Sequence, residues 1–215
     1  MSDLLIVPYI NEVILDAASK VSEEYCFLNF GLLEKHSQQY NMYSMYCDIK
    51  NVSSPSYAQI IQRDFFKEVE VVYSNNIIYL VNNKGERVAK GYLDASQKIC
   101  KVQSYPNECN EHYEIMIDSL QRVSYVNYFL NNDCKSRVFY DTAGQIALLE
   151  KFDQCKKKMI VLYKNLEGDY LEEPEIFYNE TTLYKRILNY ICTNYSVNKD
   201  GIFYFDESTH QFKLR

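Results

Sequence analysis

The chain has 215 residues and a formal net charge of −6, with 21 Tyr and 11 Phe but no Trp. A polypeptide of this length buries enough surface to fold without disulfide or metal staples, and a charged share of 24% is ordinary for a globular protein. An acidic chain with no basic block repels phosphate backbones, and no run of about 18 apolar residues occurs, so nucleic-acid partners and a membrane span are both excluded from the expectation.

The first eight residues, Met1 to Pro8, lack the basic start and full apolar core of a signal peptide. Residues 8–24 read as a helix. Pro8 suits a first turn, and Ile10, Val13, Ile14, Ala17 and Val21 recur at helical spacing. Residues 26–33 are apolar except Asn29 and are broken by Gly31, so they either extend the helix or form a buried segment. Tyr40 to Ile49 reads as a strand, although two periods compete there. Ser54 before Pro55 opens a short helix through Phe65.

After Lys67, runs of five to eight strand-forming residues alternate with turn chemistry. The turns include Asn82-Asn83-Lys84-Gly85, Asp141-Thr142-Ala143-Gly144 and Asn165 to Gly168, with glycine where a positive φ is needed. Over about 100 residues this pattern specifies an antiparallel meander, open or closed into a barrel. Lys156-Lys157-Lys158 reads as a solvated strand start. A helix is expected over 180–195, with Leu183, Ile187, Leu188 and Ile191 as its apolar stripe. A terminal hairpin from Ile202–Phe205 and Gln211–Leu214 follows.

The expected fold is therefore α+β, mainly β: a β-hairpin meander or barrel with an N-terminal helical segment and one C-terminal helix. The expected division is an N-terminal helical segment, 1–66, packed on a main domain, 67–215.

The sequence carries no catalytic signature. It lacks GxxxxGK[ST], GxGxxG, GxSxG and HExxH. Seven cysteines (Cys26, Cys47, Cys100, Cys109, Cys134, Cys155 and Cys192) are widely spaced without a CxxC pair, so neither a zinc site nor any other metal or cofactor is expected. Cys109 and His112 form the one thiol–imidazole pair close in sequence. The acidic stretch around Pro174 supplies Glu172, Glu173 and Glu175, and the aromatic segment near the N-terminus supplies Tyr43 and Tyr46. These five are the expected partner-binding residues.

Tyr140-Asp141-Thr142-Ala143-Gly144-Gln145 resembles one YD-type repeat of the RHS family. The stretch from Ile77 to about Glu172 is similar to the hairpin series of tubby-like and phospholipid-scramblase proteins. What these resemblances imply is hairpin geometry.

The functional expectation is a non-enzymatic protein-binding factor of viral, phage or immunity-protein type, intracellular and homo-oligomeric, acting on a protein partner or on itself. A self-assembling viral structural or occlusion protein is the second expectation. An enzyme whose site is assembled only in three dimensions is the third.

Overall fold

The computed structural model describes residues 2–7, 11–22, 24–29, 39–47, 69–117, 122–154, 156–195 and 197–214. Packing divides the chain into two units. One comprises 1–48, 164–170 and 179–215; the other comprises 49–163 and 171–178.

The first unit is built on a run the sequence reading left unassigned. Leu4, Leu5, Ile6 and Val7 form the last four residues of β1 (Ser2–Val7), the central strand of a five-stranded sheet. An uninterrupted apolar run is what a strand buried on both faces requires. β1 pairs in parallel with β2 (Tyr25–Asn29) on one side and β14 (Val197–Asp206) on the other. β3 (Gln39–Asn41) extends the parallel set beyond β2, and β15 (Gln211–Leu214) adds an antiparallel edge to β14. The order is β15-β14-β1-β2-β3.

Between β1 and β2 runs α1 (Glu12–Ser19), so the start of the chain is a β-α-β unit. Asn11 caps α1 by accepting the Ile14 N–H at 3.0 Å. Its buried residues Ile14, Ala17 and Ala18 join Leu5, Val7, Phe27 and Phe205 in one core cluster. Each fully buried large side chain there contributes roughly 1.5–3 kcal/mol of transfer free energy.

The opposite face of the same sheet presents Cys26 and Tyr40. It meets the helix before β14, α3 (Glu180–Asn194), whose end brings Tyr195 to 4.8 Å from the Tyr40 ring. Asn179 caps α3 by accepting the Thr181 N–H at 2.7 Å, and Leu183, Ile187, Leu188 and Ile191 form its buried stripe. This helix stands where the sequence places it.

Two readings of the N-terminal region are corrected and one left open is decided. The helix is α1 alone, and the described part of 26–33 is the buried segment rather than a helix extension, with Phe27 and Leu28 fully buried in β2. Tyr40 to Ile49 is not one strand: three residues of β3 lead into α2 (Met42–Cys47). Tyr43 and Tyr46, three apart on α2, are 2% and 1% exposed. Burying both on one side requires helical spacing, and that decides between the two periods. The expected helix from Ser54 to Phe65 lies outside the described residues.

Gly201 in β14 marks a close approach. Asp3 of β1 accepts a hydrogen bond from Asn198 Nδ2 at 2.9 Å, and a Cβ on Gly201 would fall onto the Asp3 carboxylate and 2.7 Å from Asn198 Nδ2. Gly201→Ala is expected to destabilise the protein by about 1–3 kcal/mol through overpacking. A urea titration checks this, and an unchanged midpoint would mean that the Asp3–Asn198 pair yields freely.

The second unit is the meander. Its strands are β4 (Val69–Ser74), β5 (Ile77–Asn82), β6 (Arg87–Leu93), β7 (Ile99–Ser104), β8 (Glu111–Ile117), β9 (Val123–Leu130), β10 (Asp133–Tyr140), β11 (Ile146–Asp153), β12 (Lys156–Lys164) and β13 (Tyr170–Phe177). They lie in sequence order in one ten-stranded sheet, with β4 and β13 at its two ends, so among the described residues it is open rather than a closed barrel. The mainly β, α+β reading holds, and its meander is this sheet.

One turn recurs five times and explains the register. Asn82, Asp94, Asn107, Asp141 and Asn165 each open a tight connection, and the side-chain oxygen of each accepts the N–H four residues on. In the first four the same oxygen also accepts the N–H two residues on. The residue three on takes positive φ: Gly85, Gln97, Asn110, Gly144 and Gly168. The pattern is an Asx turn closed by a left-handed residue, which fixes hairpin length and therefore pairing.

The C-terminal helix and hairpin, expected within the domain 67–215, pack with the N-terminal strands in the first unit. Along the chain the meander is an insertion: it interrupts a parallel sheet that β14 joins after it.

Candidate binding face of the meander

The cross-strand registers assign each side chain of the meander to a face. On one face Ile78, Gly91, Val102, Ile115, Val126 and Val138 lie in a row across β5 to β10. Ile78, Val102, Ile115 and Val126 belong to the core cluster of this unit, with Leu80, Ala89, Ile99 and Ile117.

The other face is different in kind. A row runs Tyr79, Lys90, Gln103, Glu114, Asn127, Arg137, Glu150. Beside it runs Ile77, Tyr92, Lys101, Met116, Tyr125, Phe139. The cations lie against rings. The Arg87 guanidinium sits 4.1 Å from the Tyr79 centroid, and the Lys90 and Lys101 ammoniums sit 5.4 and 5.8 Å from Tyr92. Tyr92 donates its hydroxyl to Gln103 Oε1 at 3.3 Å, and a hydrogen bond with Tyr92 raises the Lys90 pKa. Lys101 pairs with Glu114 at 2.6 Å.

Toward β11 and β12 the row ends in a buried ion cluster. Glu150 is fully buried; it accepts Arg137 Nη1 at 3.3 Å and faces Lys157 Nζ at 2.6 Å. Arg137 also donates Nε–H to Asn127 Oδ1 at 2.7 Å, with its guanidinium between the rings of Tyr125 and Phe152. Lys157 therefore has a structural partner rather than the solvated role expected for the lysine run. The cluster fixes where Arg137 stands, and the face as a whole offers rings, amides and charges in fixed places.

The expected partner-binding residues fall apart in the structure. Tyr43 and Tyr46 are buried in α2 and present no surface. Glu172 and Glu173 are exposed and Glu175 half-buried on β13, an edge strand that also carries Pro174, all features that discourage strand addition. Cys109 and His112 do not form a couple. Cys109 is exposed in the turn opened by Asn107, while the His112 ring stacks at 4.7 Å on Phe129. The face described above was missed because its residues are scattered from 79 to 157 and only strand register unites them.

In the first unit, Cys26 is the perturbed thiol. Burial, with Asp3 and Cys192 beside it, pushes it up to about 11. Its thiolate is therefore scarce at neutral pH, whereas Cys109 is exposed. Iodoacetamide at about pH 8 is expected to label Cys109 well before Cys26, read by peptide mass spectrometry. Because the folded state holds this proton more tightly than the unfolded state, its contribution to stability is complete below the ordinary thiol value and is lost as pH rises toward about 11. Equal labelling rates would contradict the buried placement.

Among the described residues no group of three or more His, Cys, Asp or Glu is placed to hold a metal ion. No helix among them is long and apolar enough to cross a membrane.

No family model matches the sequence, and no curated protein matches it. Solved structures do match the fold. The GtfA/B complex bound to UDP and GlcNAc aligns over 96% of this chain and 45% of that chain, at 13% identity and a TM-score of 0.67. The accessory secretory protein 1, 2 and 3 structure from Streptococcus pneumoniae covers 94% and 46%, at 15% identity and 0.62. The glycosylation-associated Gap123 complex from Streptococcus agalactiae covers 96% and 48%, at 14% identity and 0.62. The chain thus spans less than half the length of the chains it resembles.

These similarities correct the functional expectation. The fold is shared with solved chains of glycosylation and accessory secretory complexes, and this similarity runs against the viral, phage or immunity-type binding factor and the self-assembling particle protein alike.

Proposed function

We propose that the chain is one lobe of a protein-glycosylation assembly, in which a parallel α/β sheet carries an inserted meander that holds polypeptide. The observation that carries this reading is the insertion itself: the ten-stranded sheet interrupts the parallel one, and this layout runs with the GtfA/B complex bound to UDP and GlcNAc over 96% of the chain.

Two physical features support it. The parallel sheet changes direction of construction at β1, from which the chain proceeds to β2 and β3 on one side and returns as β14 on the other. In doubly wound sheets the crevice at the carboxyl ends of strands flanking such a point is where ligands bind. The meander in turn offers a polar, ring-studded face of the kind enriched at protein interfaces. The sequence has six glycines and no glycine-rich phosphate loop, so the grip on a sugar-nucleotide diphosphate falls to a second lobe, on the same polypeptide or on a protein partner. The lobe works in the cytoplasm, where nucleotide sugars are available.

Deleting the gene from its source organism tests this reading. The expected outcome is loss of one or more glycoprotein bands detected by a GlcNAc-binding lectin, restored when the gene is returned. An unchanged lectin pattern would overturn it.

A further inference from the structure

The protein is acidic as a whole, yet its charge is segregated on the meander. Glu167, Asp169, Glu172, Glu173 and Glu175 gather on β13 and the turn before it. The ring-bearing face instead carries Arg87, Lys90, Lys101, Arg137 and Lys157 against Glu70, Glu114 and Glu150. Two of these carboxylates are already engaged within the face, Glu114 by Lys101 and Glu150 by Arg137 and Lys157. Arg87 and Lys90 lie over tyrosine rings instead. Rings spread no opposing charge, and each cation keeps donors for an incoming acceptor.

We propose that this face, around Tyr79, Arg87, Lys90, Tyr92, Lys101 and Gln103, docks an acidic, extended segment of a polypeptide partner. The inference rests on the reading that the meander holds polypeptide and adds the chemistry of what is held. Carboxylates of the segment meet Arg87 and Lys90, its apolar groups lie on Tyr79 and Tyr92, and Gln103 serves its backbone. From Tyr79 on β5 to Glu114 on β8 the row crosses three strand spacings of about 4.8 Å, or roughly 14 Å, which an extended peptide spans in about four residues. A nucleic acid would also find cations and rings here, but its continuous phosphate charge meets an acidic chain with −6 overall, whereas a short acidic segment meets only the face.

Fluorescence anisotropy of the intact chain with labelled dodecapeptides of alternating Glu and Ser, Gln and Ser, or Lys and Ser, and with a dodecamer of thymidine, tests the proposal. The Glu-Ser peptide is expected to bind best. Its affinity should fall at least roughly tenfold in Arg87→Glu/Lys90→Glu, and should fall also when salt is raised from about 50 to about 300 mM in the unaltered protein. The salt series stands even if the double variant fails to fold. Equal binding of the Gln-Ser peptide would overturn the acidic preference while leaving the polypeptide reading in place. Tighter binding of the oligonucleotide, or no binding of any peptide, would overturn both.

Discussion

Glu150→Ala is expected to be the most damaging single substitution in the meander, destabilising the protein by about 3–5 kcal/mol. The wild-type carboxylate is fully buried and is the common partner of Arg137 and Lys157, whose side chains are 19% and 18% exposed. Removing it leaves two cations half-buried, facing each other across the space it filled. Their loss of a partner, rather than the worth of the ion pairs themselves, sets the magnitude. Asn127 and the rings of Tyr125 and Phe152 still hold Arg137 in place, so it is not free to swing into water. Replacing Glu150, Arg137 and Lys157 together by Leu, Met and Met should recover much of the loss, since a well-packed apolar cluster avoids the desolvation of all three. Denaturant titration of the two variants reads the contrast. A single variant within about 1 kcal/mol of wild type would show that the cluster is solvated in practice and does not anchor the face.

Leu5→Ala is the corresponding test of the parallel sheet, with an expected loss of about 2–5 kcal/mol. Leu5 is fully buried on the central strand, between Phe203 of β14 and Phe27 of β2, and belongs to the core cluster under α1. Truncation removes apolar contact with both neighbours and leaves a cavity that paired strands cannot close by moving together. If Leu5→Ala costs less than about 1 kcal/mol by thermal or urea unfolding, then β1 is not the centre of the unit.

How much of this was legible in the sequence differed between the two units for a physical reason. Five connections of the meander are local events: an Asx residue, a left-handed residue three positions on, and strand formers on either side. Asn82 with Gly85 and Asp141 with Gly144 announce themselves within five residues. The α3 stripe of Leu183, Ile187, Leu188 and Ile191 is equally local, and so is its Asn179 cap. The parallel sheet is not. β1 and β14 pair although Leu4 and Ile202 are nearly the whole chain apart. A strand buried on both faces shows no alternation, and Leu4 to Val7 was weighed as a targeting segment rather than as a strand. Missing β1 hid the insertion, and with it the architecture that the solved structures share.

The candidate face was illegible for a related reason. Arg87, Lys90, Lys101 and Arg137 are unremarkable singly in sequence and converge only through register. Tyr43 and Tyr46 show the converse. Two tyrosines in a polar-looking segment read as a sticky surface, yet helical spacing folds them both inward. The acidic run at 172–175 lies on β13, at one end of the sheet among the described residues, with Glu172 and Glu173 exposed and Glu175 half-buried.

The account is tested most directly by isolating this chain from its source organism in its native assembly and incubating that assembly with radiolabelled UDP-GlcNAc. The expected result is label in a co-purifying polypeptide, diminished when the face is altered by Arg87→Glu/Lys90→Glu. A native assembly that holds the chain intact and labels no polypeptide, with or without added acceptor, would contradict it.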